Sequence, residues 1–191
     1  MFKTLITNNC WGGIIYNNYG REFDSPTINL QILPEDFTDF CAGLKFYLSM
    51  ELEECKEMDK YQEAYMYHMF GDERPDCPIG MISDILVVFQ HYGSFREAKR
   101  KWDERKERVD LTDIGYMFHV KNATYMAAAK EFVERDFPNS VCITEGFEIP
   151  GAYSFHVPEG MDAFGGVKEN GGMRRIIEEN FRISDWLEGR L

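Results

Sequence analysis

The sequence predicts an α/β fold, in which a mostly parallel sheet carries helices on both faces as a Rossmann-like three-layer sandwich. Segments with strand character alternate along the chain with segments whose apolar residues recur at helical spacing, which is the pattern of parallel sheets. The chain has 191 residues, 44% of them hydrophobic and 15% aromatic, which is enough for one packed core. We therefore expect residues 1–191 to form a single α/β domain.

The first third of the chain alternates between strand and helix patterns. Strand character at residues 3–7 is followed by a pair of glycines that opens a short helix, and a second strand fits residues 27–32. A proline then starts a long helix over residues 34–55, because proline is favoured at the first helical position. Residues 56–77 are polar and aromatic by turns, and we interpret them as an irregular excursion that acts as a lid.

Strand character recurs later in the chain, at residues 85–89, 116–120, 141–144 and 154–157. The first of these segments lies in the most apolar stretch and is predicted to be a central strand buried on both faces, whereas the last is an edge strand. Ser94 and Glu97 form a capping box that opens a basic helix, and another helix is predicted over residues 124–136. The glycine-rich extension of residues 151–191 ends in an amphipathic helix.

Composition excludes several classes of protein. The net charge of −12 opposes nucleic-acid binding, which depends on neutralising phosphates. No apolar run approaches the roughly 20 residues of a membrane span. Asn8 and Asn9 interrupt the N-terminal apolar segment before it reaches the length of a signal peptide, so we expect a cytoplasmic protein. The five cysteines are odd in number and show no CxxC spacing, which argues against a disulfide framework and a zinc site. No other spacing predicts a metal site.

One segment runs against the acidic trend. Residues 94–109 hold four acidic side chains and seven basic ones, namely Arg96, Lys99, Arg100, Lys101, Arg105, Lys106 and Arg108. One interpretation is a solvated helix face with ion pairs between residues four apart. The other is an anion-facing helix, in which Arg105 contacts a phosphate-bearing or acidic-sugar substrate.

The turn after the first strand is the predicted working site. In an open α/β sheet, ligands sit outside the carboxyl ends of the strands, and the turn falls there. Its glycines would let backbone approach a ligand, and the following helix would offer free N–H groups to an anion. We therefore predict substrate contacts from Asn8, Asn9, Trp11, Gly12 and Gly13. The turn is neither GxGxxG nor a P-loop, since no lysine follows the glycines.

Cys10 and His91 are the predicted catalytic residues. A thiol at a helix N-terminus has a lowered pKa, which favours a nucleophilic thiolate, although Cys10 could instead simply pack beneath Trp11. His91 and Tyr92 directly follow the apolar strand, so in a parallel sheet they would emerge at the same edge as Cys10, with His91 as general base and Tyr92 on the substrate. Asp84 lies on the order of 23 Å from His91 along an extended strand, which places it at the opposite end.

The remaining histidines, His68, His119 and His156, have no partner at metal-ligand spacing. We interpret each of them as an ordinary core or surface residue. No HExxH, GxSxG or clustered carboxylate motif occurs, which argues against a zincin, a serine hydrolase and a two-metal enzyme.

These motifs together resemble a bacterial domain-of-unknown-function family, nineteen-nineteen in its series, whose members are labelled exopolysaccharide biosynthesis proteins. The likeness spans residues 3–146 and rests on Asn8 to Gly13, Pro78-Ile79-Gly80 with Asp84, His91-Tyr92, Glu97-Ala98, Trp102 and Arg105. The resemblance implies a role in building or decorating surface polysaccharide, and it supplies no established catalytic residues.

Three functional hypotheses follow. The leading one is a glycan-assembly enzyme that transfers a group to or from a sugar, with a phosphorylated or nucleotide-linked substrate such as a nucleotide sugar. The second is a Cys-dependent acyltransferase or hydrolase, with Cys10 as nucleophile and His91 as base. The third is a non-catalytic partner that contacts a membrane-bound polysaccharide machine peripherally; it predicts no pocket at the sheet's carboxyl edge and an exposed partner surface at residues 56–77.

Overall fold

The computed structural model describes residues 1–71, 76–156 and 181–190. The strands in this part of the chain are β1 (Thr4–Thr7), β2 (Gln31–Ile32), β3 (Glu53–Glu54), β4 (Ile79–Ile82), β5 (Ile85–Val88), β6 (Ile114–Val120), β7 (Ser140–Glu145) and β8 (Tyr153–Phe155). The helices are α1 (Trp11–Asn18), α2 (Pro34–Ala42), α3 (Leu44–Ser49), α4 (Lys60–Phe70), α5 (Phe95–Lys106), α6 (Met126–Glu134) and α7 (Ile183–Leu187). A 3-10 turn at Ala123–Tyr125 leads into α6.

A parallel sheet of order β1-β6-β7-β8 forms the centre of the fold. Both of its faces are buried, because successive side chains of a strand point to opposite sides. Leu5, Met117 and Ile143 share an apolar cluster with residues of α1 and α7, whereas Ile6 and Phe118 share another with residues of α2 and α6. The prediction of a parallel sheet with helices on both faces is confirmed for these four strands.

The other four strands form a second sheet, which is antiparallel and has the order β2-β5-β4-β3. The fold is therefore not a pure Rossmann-like sandwich. The predicted central parallel strand at residues 85–89 is therefore wrong in its placement. The turn at Ser83 and Asp84 joins β4 to β5, and Ser83 adopts a positive φ of 59°. A two-residue turn can join only antiparallel neighbours, since parallel strands need a long crossover. The largely apolar composition of residues 78–90 concealed this turn, although Ser83 and Asp84 are polar.

Three further element boundaries differ from the sequence prediction. The long helix predicted over residues 34–55 is divided at Gly43 into α2 and α3. The strand expected at residues 27–32 is only two residues long, as β2. Residues 56–77, expected to be irregular, contain the well-capped helix α4, which begins with a capping box and ends at a left-handed glycine. Of the predicted C-terminal helix, only the part in α7 lies inside the described residues.

The two sheets meet at the carboxyl end of β1. The Ile32 N–H donates to the Asn8 carbonyl at 2.9 Å, and the Thr7 N–H donates to Thr27 Oγ1 at 3.1 Å. The chain before and within β2 therefore takes the place of a neighbouring strand on the free edge of β1. This contact places the turn at residues 8–13 beside the end of β5. Within the described residues, no helix combines the length and apolarity needed to cross a membrane.

Candidate functional site

Asn8 joins β1 to β6 at the point where their backbone ladder ends. Its Nδ2 donates to the His119 carbonyl at 3.0 Å, and its Oδ1 accepts from the His119 N–H at 3.0 Å. The side chain is fully buried. The Asn8 side chain thus extends the hydrogen-bond ladder between β1 and β6 by one residue. Its amide nitrogen and oxygen are both bonded to protein backbone rather than presented to a substrate.

His119 lies at the centre of the 8–13 turn. The Trp11 Nε1–H donates to His119 Nδ1 at 3.0 Å, and Asn9 Nδ2 lies 3.0 Å from the same nitrogen. The other ring nitrogen, Nε2, is 2.7 Å from Glu145 Oε1, and the imidazole is entirely inaccessible to solvent. An indole N–H can only donate, so Nδ1 must accept, and the proton of the neutral ring resides on Nε2, facing the carboxylate.

The electrostatics of this network favour the neutral imidazole. Burial lowers the pKa of His119, and the Glu145 carboxylate opposes that shift by favouring the imidazolium. Protonation would also place an Nδ1–H against the donor groups of Trp11 and Asn9, so the local hydrogen bonds act in the same direction as burial. His119 is therefore a structural residue, with Nδ1 as an acceptor and Nε2 at ion-pair distance from the Glu145 carboxylate.

The glycines and the start of α1 serve close packing. The Trp11 N–H donates to Asn9 Oδ1 at 3.1 Å, and the Gly12 N–H donates to Thr7 Oγ1 at 3.2 Å. A Cβ on Gly12 would lie 2.7 Å from Thr7 Oγ1, and one on Gly13 would lie 2.3 Å from an Asn29 side-chain oxygen. The expectation that these N–H groups are free for an anion is wrong for the first two, because neighbouring side chains already accept from them.

Cys10 precedes this helix with its thiol buried. Burial raises the pKa of Cys10 to about 11, although the positive charge of Lys121 acts against the rise. Cys10 Sγ lies 3.5 Å from Gln90 Oε1, so the polar group beside the thiol is an amide. The lowered pKa that was predicted for a thiol at a helix N-terminus is therefore not found, because desolvation of the thiolate raises the pKa.

His91 lies in the turn after β5 with an exposed side chain. It was expected beside Cys10 because β5 was taken for a parallel strand. The end of β5 does reach Cys10, but it is Gln90, one residue earlier, whose side chain meets the thiol. The structure therefore brings β5 and the 8–13 turn together without forming a described Cys10–His91 contact.

Tyr92 and Arg105 form a separate structural contact. Arg105 Nη1 donates to the Tyr92 hydroxyl at 2.7 Å, and that hydroxyl donates to the Ile28 carbonyl at 2.7 Å. The Arg105 guanidinium also lies over the ring of Phe23, 5.0 Å from its centroid, and the residue is only 7% exposed. These two predicted substrate-binding side chains fasten α5 to the segment before β2.

Other cations of α5 are paired as the solvated-face interpretation predicts. Lys99 contacts Glu51 and Asp103, Arg100 contacts Glu104, and Lys106 contacts Asp103, all at 3.6 Å or less. These pairs leave less of the positive charge for an external anion. They are largely exposed, so each contributes only about 0–1 kcal/mol to stability.

A cleft of about 50 Å³ opens beside Asn9 and His119, at the carboxyl ends of β1 and β6. We call it the amide cleft, because four of its side chains are carboxamides, and it lies where the two sheets meet. Its lining residues are Asn9, Gln31, Pro34, Tyr65, Met69, Gln90, His119, Val120, Lys121, Asn122 and Tyr125. None of them is acidic, although the chain has 33 aspartates and glutamates. Within this wall, the Tyr65 hydroxyl accepts a hydrogen bond from Gln31 Nε2 at 2.8 Å.

The sequence profile of one family, described as a domain of unknown function, DUF1919, matches residues 2–182. The chain belongs to the DUF1919 family. An uncharacterized protein of Haemophilus influenzae is similar to this DUF1919 chain, at 28% identity over 141 residues. The match covers 74% of this chain and 61% of that relative, so the chain corresponds to less than two thirds of the relative's length.

Several residues in and beside the cleft of this DUF1919 chain are not indicated by any pattern in the sequence. His119 and Glu145 come from the ends of two different strands, and Gln31 and Lys121 are isolated polar residues in their segments. The pairing of β6 with β1 and with β7 brings His119 and Glu145 close to Asn9, and the contact of β2 with Asn8 brings Gln31 there. A polar residue directly after each predicted parallel strand was the one available clue, since ligands sit at that edge.

Proposed function

We propose that this chain is an enzyme of surface-polysaccharide assembly that transfers a group to or from a sugar held in the amide cleft. The observation that carries the proposal is the convergence of Asn9, Gln31 and Gln90 at the carboxyl edge of the parallel sheet. Carboxamides both donate and accept hydrogen bonds, as sugar hydroxyls do. Tyr65 and Tyr125 add aromatic surface to the same cleft, which suits the apolar face of a sugar ring.

A phosphorylated or nucleotide-linked substrate agrees with the charge of the cleft. Lys121 lines the cleft and supplies positive charge there. Arg105 was predicted to contact the negative charge of the substrate, but it is hydrogen-bonded to Tyr92. We therefore assign that contact to Lys121.

Entry of a whole sugar requires the cleft to open. Its volume of about 50 Å³ is far below the roughly 300–1,000 Å³ of a small-molecule site. Helix α4 supplies Tyr65 and Met69 to the wall, so we propose that α4 is the lid expected within residues 56–77. Two polar contacts hold it closed, namely Gln31 with Tyr65 and, at 2.7 Å, His68 Nε2 with Asn122 Nδ2.

The two alternatives are less well supported. A Cys-dependent acyltransferase needs an accessible thiolate, whereas Cys10 is 6% exposed and its pKa is raised by burial. A non-catalytic partner predicts no cleft at this edge. Tyr61 and Tyr67 of α4 are 39% and 63% exposed and offer such a partner some apolar surface.

Melting temperature in the presence of nucleotide sugars tests the proposal. A bound ligand at about 100 times its Kd adds roughly 2.7 kcal/mol to stability, which corresponds to several degrees for a chain of this size. We expect the ligand to raise the melting temperature of the wild type and to raise that of Lys121→Gln by less. The control is Lys130→Gln, which removes the same charge at an exposed position of α6 and should behave as the wild type does. Failure of every nucleotide sugar and sugar phosphate to bind would contradict the proposal.

A further inference from the structure

The amide of Asn9 presents a hydrogen-bond donor on a residue that lines the amide cleft. The Trp11 backbone N–H can only donate, so the Asn9 atom 3.1 Å away from it is the oxygen, Oδ1. Nδ2 then faces His119 Nδ1, which also accepts from the Trp11 indole. Asn9 is 3% exposed and cannot turn over without breaking both contacts. His119 takes up one of the two Nδ2 hydrogens, and the other has no acceptor among the described residues.

Gln90 and Gln31 add one further donor and one acceptor to the cleft. Gln90 Oε1 accepts from Cys10 Sγ at 3.5 Å, so Nε2 is the amide atom that is left as a donor. Gln31 is the reverse case, because its Nε2 donates to the Tyr65 hydroxyl at 2.8 Å and its Oε1 is left as an acceptor. Within the described part of the chain, no hydrogen bond engages Gln90 Nε2 or Gln31 Oε1. Gln31 is only 7% exposed, and a polar atom so enclosed costs free energy until a ligand or a water molecule bonds to it.

The wall between these amides is largely apolar. Pro34, Met69 and Val120 line the cleft, together with the rings of Tyr65 and Tyr125. The closed cleft of about 50 Å³ accommodates about four non-hydrogen atoms, since one water-sized sphere needs roughly 10–15 Å³. In so small a space the polar atoms and the apolar wall face the same occupant. A matching group therefore accepts hydrogen bonds, donates one, and carries a small apolar part.

We propose that the amide cleft recognises the acetamido group of an N-acetylated amino sugar. The carbonyl oxygen of that group accepts from Asn9 Nδ2 and Gln90 Nε2, its N–H donates to Gln31 Oε1, and its methyl group packs against the apolar wall. Its nitrogen, carbonyl carbon, oxygen and methyl carbon match the volume of the closed cleft, and the sugar ring occupies the space that opening of α4 provides. The inference rests on the proposed function and names the class of sugar on which the enzyme acts.

Other small groups match the cleft less well. A hydroxyl group, which an unsubstituted sugar carries at the same carbon, has no methyl group for the apolar wall and is too short to meet the three amides together. A carboxylate accepts hydrogen bonds but cannot donate, so it would place a charged oxygen against Gln31 Oε1. A free amino group can donate to Gln31 Oε1 but leaves the donors of Asn9 and Gln90 without an acceptor.

Calorimetric titration with two pairs of ligands tests this inference. Uridine diphosphate N-acetylglucosamine is compared with uridine diphosphate glucose, and the anomeric phosphate of N-acetylglucosamine with that of glucose, so that the members of a pair differ only in an acetamido or a hydroxyl group. Gln90→Glu keeps the acceptor that faces Cys10 and replaces the amide donor by a carboxylate oxygen. Asn18→Asp makes the same change of charge at the exposed end of α1 and is the matched control. The ratio of the two Kd values within a pair is the measured quantity, because an added charge acts alike on the phosphates of both members.

We expect the wild type and Asn18→Asp to bind the acetamido member of a pair at least tenfold more tightly than the hydroxyl member. Gln90→Glu should reduce this ratio severalfold, because the acetamido carbonyl loses one donor. The wild-type ratio tests the inference even if Gln90→Glu does not fold.

A wild-type ratio of about one overturns the inference, and so does an equal ratio in folded Gln90→Glu and in Asn18→Asp. Absence of binding by both acetamido ligands overturns it as well. In each of these cases, binding of any other nucleotide sugar or sugar phosphate leaves the proposed function standing without the inference.

Discussion

Replacement of His119 by alanine tests the hydrogen-bond network that holds the 8–13 turn in place. The change removes the acceptor for Trp11 Nε1 and Asn9 Nδ2, and it removes the group facing Glu145. A buried neutral donor without a partner costs about 1–3 kcal/mol, and loss of the ring's packing adds to that cost. Water that enters the vacated space recovers part of the loss. We therefore expect the free energy of unfolding to fall by about 3–5 kcal/mol.

Urea denaturation followed by tryptophan fluorescence and circular dichroism measures this difference. His119→Asn should lose about 1–2 kcal/mol less than the alanine variant, because its Oδ1 can replace Nδ1 as an acceptor. His91→Ala removes an exposed histidine and should change stability by less than about 0.5 kcal/mol. A loss below about 1 kcal/mol for His119→Ala, with an unchanged slope against urea, would refute the reasoning.

The same network predicts a dependence of stability on pH. Burial lowers the pKa of His119 in the folded state, so below about pH 6.5 the unfolded chain takes up a proton that the folded chain refuses. Stability therefore decreases as the pH falls through this range. His119→Asn should show a shallower decrease than the wild type between pH 7 and pH 5, and parallel curves would contradict the assignment.

The remaining predictions concern single residues away from this network. Burial raises the pKa of Asp36 from its ordinary value to about 7, so the folded protein loses stability as the pH rises from about 4 through 7. By melting temperature, Asp36→Asn should therefore be more stable than the wild type at pH 8 but not at pH 4. Gly12→Ala should cost about 1–3 kcal/mol in urea denaturation because its Cβ meets a side chain at 2.7 Å, whereas Gly93→Ala, whose Cβ finds only an ordinary contact at 3.7 Å, should be tolerated. Iodoacetamide at pH 8 should modify the half-buried Cys77 well before Cys10, as followed by peptide mass spectrometry, and faster modification of Cys10 would show an accessible thiolate that the structure does not contain.

Local sequence patterns were reliable where one segment decides its own structure. Ser94 caps α5 by accepting from the Glu97 N–H, as the capping-box pattern predicts, and Pro34 stands at the first position of α2. The strands at β1, β6 and β7 were found because their apolar composition is continuous. Patterns failed where a boundary depends on one residue inside an apolar or helical run, as at Ser83 and Gly43.

The position of the amide cleft could be predicted from the class of fold, whereas the groups that line it could not. The carboxyl end of β1 is where a ligand is expected in this class of fold, and the amide cleft lies there. The pairing of Cys10 with His91 was inferred from a parallel arrangement of β5 that does not exist, and the reactivity of Cys10 was inferred from its place at a helix N-terminus, where its thiol is buried. His119 appeared ordinary because a single histidine in a strand carries no information about its neighbours.

The sequence by itself determined the α/β class, the family and the acidic character, and it predicted a site at the turn of residues 8–13, because each of these depends on composition or on residues close together in the chain. Only the tertiary structure decided which groups meet at that turn. Glu145 and His119 are 26 positions apart and His119 is 110 positions from Asn9, so their contact follows from strand pairing alone. Whether an ionisable group is charged depends on its burial and its partners, and those are fixed only when the sheets assemble.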